Sequence, residues 1–295
     1  MSDDPTLLVL TCAFGAGGAV FLLAAGWKWL SALRSGLPRE TPSEMPVPPP
    51  LPPAGRVPVW IYRPLDLLGA LLVFGVFAGL VLLAVSVAGD KELSLDASTL
   101  ASNIGFQFAM AGLVALTILG RCGPVKWLGL RWRSWPWVFL LAPGAVLFMW
   151  LVAGGLYYAG YVEWMESMGV ETTQDTVKLL RETNDPVTLG LMAFAAVIAA
   201  PLCEEIVFRG YLYPLLKKYG GITAAAFCTS LVFAAAHGHL TAIVPLFIFG
   251  VVLVLLYEKT GSLWAPIAAH FCFNGATVGV TFAARYYDIP IGLIP

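Results

Sequence analysis

Charge is what this sequence has least of. Seventeen Lys and Arg and 18 Asp and Glu make up 12% of 295 residues, about half the share of a soluble domain. So few charges cannot clothe a water-soluble surface of this size. They form no basic patch of the kind nucleic acid requires, and nucleic acid is excluded as a partner. Cysteine is sparse and scattered: Cys12, Cys122, Cys203, Cys228 and Cys272 show no CxxC spacing. They read as small apolar residues in or beside membrane spans, which excludes a disulfide framework or a cysteine zinc cluster. There is no HExxH, the usual zinc-protease signature, and no internal repeat of 20–50 residues. Histidine occurs only at 237, 239 and 270.

What is present instead is apolar sequence, 59% of the chain, in runs that reach the roughly 20 residues needed to cross a bilayer. The expected fold class is all-α: a polytopic transmembrane helical bundle of about eight spans, with the bilayer as its first partner and the plasma (inner) membrane as its expected location. Thr6–Trp27 carries no charge and follows Asp3 and Asp4. A signal peptide would have a positive leading region and a shorter apolar core, so this reads as a retained span. Ser35–Pro58 holds nine prolines and reads as a semi-rigid linker. Further spans are expected at about Leu67–Gly89, Ala101–Gly120 and Trp137–Val162. Glu163–Asp185 is polar, with six acids, and its Asp175–Glu182 part suits a surface helix. A fifth span starts near Val187 and either runs to Lys218 or breaks near Pro214. The last three are expected at Ile222–His237, Thr241–Tyr257 and Ser262–Ala284. The chain divides accordingly into an N-terminal span (1–34), a proline-rich linker (35–64), a helical region with a polar loop (65–184) and a C-terminal helical domain (185–295). Alternation of these spans places 13 of the 17 basic residues on one side. The positive-inside rule assigns that side to the cytoplasm and both termini to the other.

The stretch Pro201–Tyr211 sets two carboxylates, Glu204 and Glu205, inside an apolar run. Each charged side chain there costs roughly 2.5–3.5 kcal/mol at the bilayer centre on insertion scales. Glu205 and Arg209 are four apart, acid before base, and can neutralise one another on one helix face. Glu204 lies about 100° round the helix with no basic residue one turn away, free to act as general base or acid. The plainer reading is that both acids sit at the lipid–water boundary beside Arg209.

Counting along the helices brings more residues to this level. Glu204 precedes Gly220 by 16 residues, and His237 follows it by 17. His270 and Asn274, one turn apart, lie nine and 13 residues beyond the Gly261 turn. At 1.5 Å per residue these positions reach similar depths from one membrane side, so a catalytic cluster within the membrane is expected. A lone membrane histidine is most simply interhelical glue. Two histidines with Glu, Arg and Asn on three helices suit a proton relay, an ion path or catalysis. A peptidase needs a carboxylate base, a group to hold water and oxyanion donors, and this set could supply all three. Alternatively Glu204, His237 and His270 could ligate Zn²⁺ with an open water position. Because Asn is a poor zinc ligand, the metal-independent version is favoured.

The same residues stand as Glu204-Glu205-Ile-Val-Phe-Arg209, Phe233-Ala-Ala-Ala-His237 and His270-Phe-Cys-Phe-Asn274. In this form they resemble, in order, the EExxxR, FxxxH and HxxxN motifs of the CPBP family of membrane proteases. That family includes the type II CAAX prenyl endopeptidases and bacteriocin-processing or self-immunity proteins. Phe208–Leu212 and Thr260–Trp264 also resemble its flanking segments, and the likeness covers about residues 185–282. It implies an intramembrane endopeptidase acting on a membrane-associated peptide or a lipidated protein. Glu204 and His237 would activate water, His270 and Asn274 would stabilise the oxyanion, and Glu205 with Arg209 would orient the site. The family is often labelled metalloprotease. One departure is Val254, where family members often carry a second glycine one turn after Gly250. Two other readings remain at this stage: a non-catalytic immunity or scaffold protein of the same fold, and an ion-coupled transporter. Against the transporter stand the lack of an inverted repeat and of acids in the other spans.

Overall fold

The computed structural model describes residues 5–34, 56–88, 96–170, 172 and 175–287. Every regular element among them is helical, as a chain that must satisfy its backbone without water requires. In order these are α1 (Pro5–Arg34), α2 (Asp66–Ala88), α3 (Ala97–Leu119), the single turn α4 (Pro124–Trp127), α5 (Val138–Tyr158), the short α6 (Tyr161–Ser167) and α7 (Asp175–Glu182). There follow α8 (Pro186–Gly220), α9 (Ile222–Ala235), α10 (Ile243–Thr260) and α11 (Trp264–Tyr286). The proline-rich linker lies almost wholly outside the described residues.

Seven of these helices are long and apolar enough to cross a membrane: α1, α2, α3, α5, α8, α10 and α11. α9, the sixth of the eight expected spans, is shorter than the others, with 14 residues. At 1.5 Å per residue it extends about 21 Å, short of the roughly 30 Å hydrocarbon core. It stops because the chain turns through Gly238, at φ +68°, a backbone conformation that glycine adopts at little cost. The His237 N–H bonds back to the Ala234 carbonyl at 3.2 Å.

α8 is the axis of the bundle. Asp185 caps it, accepting from the Thr188 N–H (2.9 Å) and hydroxyl (2.6 Å), and Pro186 occupies its first turn, where no N–H is needed. Those hydrogen bonds, the hydroxyl's first, hold the Asp185 carboxyl below the usual carboxylate range. The helix then runs 35 residues without the break considered at Pro214. It achieves this by widening twice into π-helical stretches, Ala195–Ala199 and Glu205–Leu212. At their ends the Ala200 N–H reaches the Ala195 carbonyl and the Tyr213 N–H reaches Phe208. π-bulges of this kind are frequent at functional sites.

Lipid is as apolar as leucine, so the bundle is held by close packing and buried polar bonds, not by a hydrophobic drive. Small residues permit that packing. α1 lays Gly17, Phe21, Ala24 and Lys28, a three-four spacing, along α9 and the end of α8, and its Phe14 meets Phe74 of α2. A Cβ on Gly17 would come within 3.1 Å of Val232, and one on Gly220 within 3.4 Å of Phe21. Lys28 Nζ completes the contact by donating to the Lys218 carbonyl at 2.7 Å.

The polar contacts gather into two end groups. At one end Arg121 forks onto Asp66, Lys217 pairs with Glu258, and Lys218 Nζ donates to the Tyr62 carbonyl. At the other, Arg285 donates to the carbonyls of Leu180 and Thr183 and to Asn184 Oδ1. The basic loop Arg121–Trp135 belongs to the first end and the α6–α7 segment to the second.

Candidate active site

Glu205 and Arg209 lie one turn apart within the second π stretch, and both are fully buried. Arg209 Nη1 donates to Glu205 Oε1 at 2.9 Å. Its other arm donates to the Gly250 carbonyl of α10 at 3.2 Å, and the guanidinium sits 4.4 Å from the Phe233 ring centre. A close helix crossing makes this reach possible: a Cβ on Gly250 would fall 2.8 Å from Ser230 Cβ. Val254, where a second glycine was noted as missing, is buried, so close packing at Gly250 coexists with it.

His270 of α11 brings Nδ1 to 2.9 Å from Glu205 Oε1. Glu205 Oε1, which already accepts from Arg209 Nη1, can accept from His270 when its proton is on Nδ1. Nε2 is thereby turned towards Glu204, whose Oε2 is 4.0 Å away. Rings of Phe249 and Phe233 meet the imidazole edge-on, with centres at 5.3 and 5.8 Å, and fix its plane. Glu204 Oε2 is buried without a hydrogen-bond partner among the described residues. Polar atoms 4.0 Å apart do not bond directly but suit a bridging water.

Four of the six expected residues therefore gather together: Glu205 bonded to Arg209 and His270, and Glu204 4.0 Å from His270. The other two join at the edge. His237 lies just past the end of α9 and is exposed, its Nδ1 bonded to the Phe233 carbonyl at 2.8 Å. Its ring contacts Phe233, the residue that also touches His270. Asn274 Nδ2 donates to the Ala196 carbonyl at 2.8 Å, whereas the sequence suggested that it and His270 aim donors at one oxygen. The reason lies in α8. Ala200, the α-helical donor for Ala196, is bonded to Ala195 instead, and the next residue in π register, Pro201, has no N–H. Asn274 fills the gap. His239 stands apart, Nδ1 within 2.8 Å of Thr241 Oγ1.

Among the described residues no three His, Cys, Asp or Glu side chains are grouped to hold one metal ion. The donor set leaves one buried carboxylate oxygen facing one imidazole nitrogen, an arrangement suited to moving a proton.

Two contributors were not anticipated. Tyr62 Oη and Trp127 Nε1 both donate to the Gly210 carbonyl, at 2.5 and 2.9 Å. The available signal was Pro214, which removes the N–H four residues beyond Gly210.

Residues 186–276 match a family described as type II CAAX prenyl endopeptidase Rce1-like. Over 123 residues the chain is 26% identical to a Bacillus subtilis (strain 168) protein named "Putative membrane peptidase YdiL". That alignment covers 42% of this chain and 47% of the relative, so the chain spans about half the length of the curated protein it matches. No solved structure matches.

Proposed function

We propose, on the premise that residues 186–276 form an Rce1-like domain, that this protein is a membrane-embedded endopeptidase. Its substrate is a membrane-associated peptide or protein, prenylated or leader-bearing. The observation that carries this reading is the buried, unpartnered oxygen of Glu204 held 4.0 Å from His270 Nε2. Burial of a charged group without a partner is costly and needs a functional return.

Glu204 and His270 Nε2 hold a water between them. As its oxygen attacks the scissile carbonyl carbon, Glu204 accepts the water proton and then passes it to the departing amine. Glu205, accepting at Oε1, favours the His270 tautomer with Nε2 unprotonated, and Arg209 holds Glu205 in place. Asn274 holds α8 open at Ala196 and has a second amide hydrogen for the carbonyl oxygen as negative charge develops there. His237, on the exposed rim, meets the incoming chain. Such a site selects its substrate by membrane access, because the cluster lies on spans.

The test is incubation of reconstituted protein with a membrane-anchored peptide library, new termini being read by mass spectrometry. Defined cleavage sites are expected. Retention of peptides without cleavage would favour the non-catalytic reading instead.

A further inference from the structure

The Gly210 carbonyl lies in the second half of the α8 π stretch, one residue after Arg209. In α register it would bond the N–H of residue 214, which is proline. Two buried donors from outside the Rce1-like segment converge on it. Tyr62 Oη, from the chain entering α2, is at 2.5 Å, and Trp127 Nε1, from α4, is at 2.9 Å. The indole nitrogen is also 3.0 Å from Tyr62 Oη, so the three atoms form a closed triangle. The Tyr62 ring and the Trp127 side chain are almost fully buried. Next to the triangle, a Cβ on Gly210 would come within 2.9 Å of Leu128, and Tyr211 Oη donates to the Asp66 carbonyl at 3.0 Å. The widest part of α8 is thus gripped by residues 62–66 and 127–128.

Resting on the proposed peptidase reading, we infer that Tyr62 and Trp127 are positioning residues for the site. By holding the Gly210 carbonyl out of α register they keep Glu205–Leu212 in its π form. Arg209 and Glu205 pair one turn apart in either register, and the π form sets the rotation that brings Glu205 to His270. Residues far from the reacting atoms thereby determine whether His270 Nε2 faces Glu204. The effect is transmitted through α8 alone, over about one and a half turns from Gly210 to Glu205.

Three forms test this: Tyr62→Phe, the double variant Tyr62→Phe/Trp127→Phe, and that double variant with Pro214→Ala, which returns an N–H to residue 214. Turnover and KM are measured in liposomes beside thermal unfolding. The ring nitrogen signals of histidine-labelled protein, with His270 assigned by its own substitution, report the Glu205 contact without any need for activity. The account expects about a tenfold loss of turnover in Tyr62→Phe, KM within twofold, and a larger loss in the double variant. The His270 Nδ1 signal should move in both. Adding Pro214→Ala should recover the unfolding temperature while turnover and the His270 signal stay altered, because the new N–H draws the stretch into α register. Recovery of turnover along with stability would reduce the triangle to a means of satisfying a carbonyl and overturn the inference. So would an unmoved His270 signal in the double variant. If wild type shows no Glu204-dependent cleavage, the peptidase reading fails, and the histidine signal alone still decides the positioning claim.

Discussion

At the scale of single residues, the two adjacent glutamates differ by what touches them. Glu205 is tied through Oε1 to Arg209 and His270, while its Oε2, like Glu204 Oε2, has no hydrogen-bond partner among the described residues. Glu204 lies 4.0 Å from His270 Nε2. Glu205→Gln strands the fully buried Arg209, and breaking a buried pair of this kind costs roughly 3–5 kcal/mol. Reduced yield and a lowered unfolding temperature are expected in detergent, with activity falling alongside. Asn274→Ala leaves the Ala196 carbonyl without its donor and should cost about 1–3 kcal/mol of stability. It should also lower turnover by more than that loss of folded protein explains, if the second amide hydrogen serves the oxyanion. Folded fraction and specific activity measured on one preparation separate the two effects. The pairing of Glu205 with Arg209 was legible in the sequence because it is local, one turn of one helix. Whether His270 would reach Glu205 or Glu204, and where Asn274 would donate, was not. Those contacts depend on helix rotation, which spacing alone does not define.

Among elements, α8 decides the site through two prolines that leave it continuous. Pro201 and Pro214 each remove a backbone donor, and the structure supplies Asn274 for one gap and Tyr62 with Trp127 for the other. The sequence marked the prolines but offered a break as one outcome. The widening to π register that absorbs them has no residue signature of its own. Asp175–Glu182 was legible as a short helix and forms as one. Of the expected spans α9 forms short, because Gly238 turns the chain directly after His237. The crossing of α10 with α9 permits a sharp test. Gly250→Ala would drive a methyl into Ser230 and shift the carbonyl that holds Arg209. A destabilisation of about 1–3 kcal/mol is expected, measurable by thermal unfolding, with activity lost in the fraction that stays folded. The cap of α8 gives a pH prediction. The Asp185 carboxyl is depressed in the folded protein by its bonds to Thr188. Its stabilisation is therefore present above the unfolded value of about 4 and lost as pH falls through the lower folded one. The gap in unfolding temperature between wild type and Asp185→Ala should stay constant near neutrality and close in acid. A gap that widened in acid would contradict the assignment.

For the whole molecule, the bundle sorts its polar contacts into two ends, and the basic residues were already sorted in the sequence. Labelling of single cysteines introduced at Lys126 and Glu166 from either side of sealed vesicles should find them on opposite faces, Lys126 on the cytoplasmic one. Labelling on the same face would refute that topology. The N-terminal span, which lies outside the Rce1-like segment, is bound into the structure along α9 and at Lys218. Its place there was invisible in the sequence, since its apolar face looks the same whether it meets lipid or protein. The proposed reading has Glu204, whose Oε2 faces His270 Nε2 at 4.0 Å, act on a water and a peptide bond. The direct measurement is the rate at which new peptide termini appear with wild type and Glu204→Gln in matched liposomes. Folding and orientation are checked in each. Loss of the general base should lower the rate by 10²-fold or more, with unfolding temperature unchanged. Cleavage by Glu204→Gln at near the wild-type rate would contradict the account.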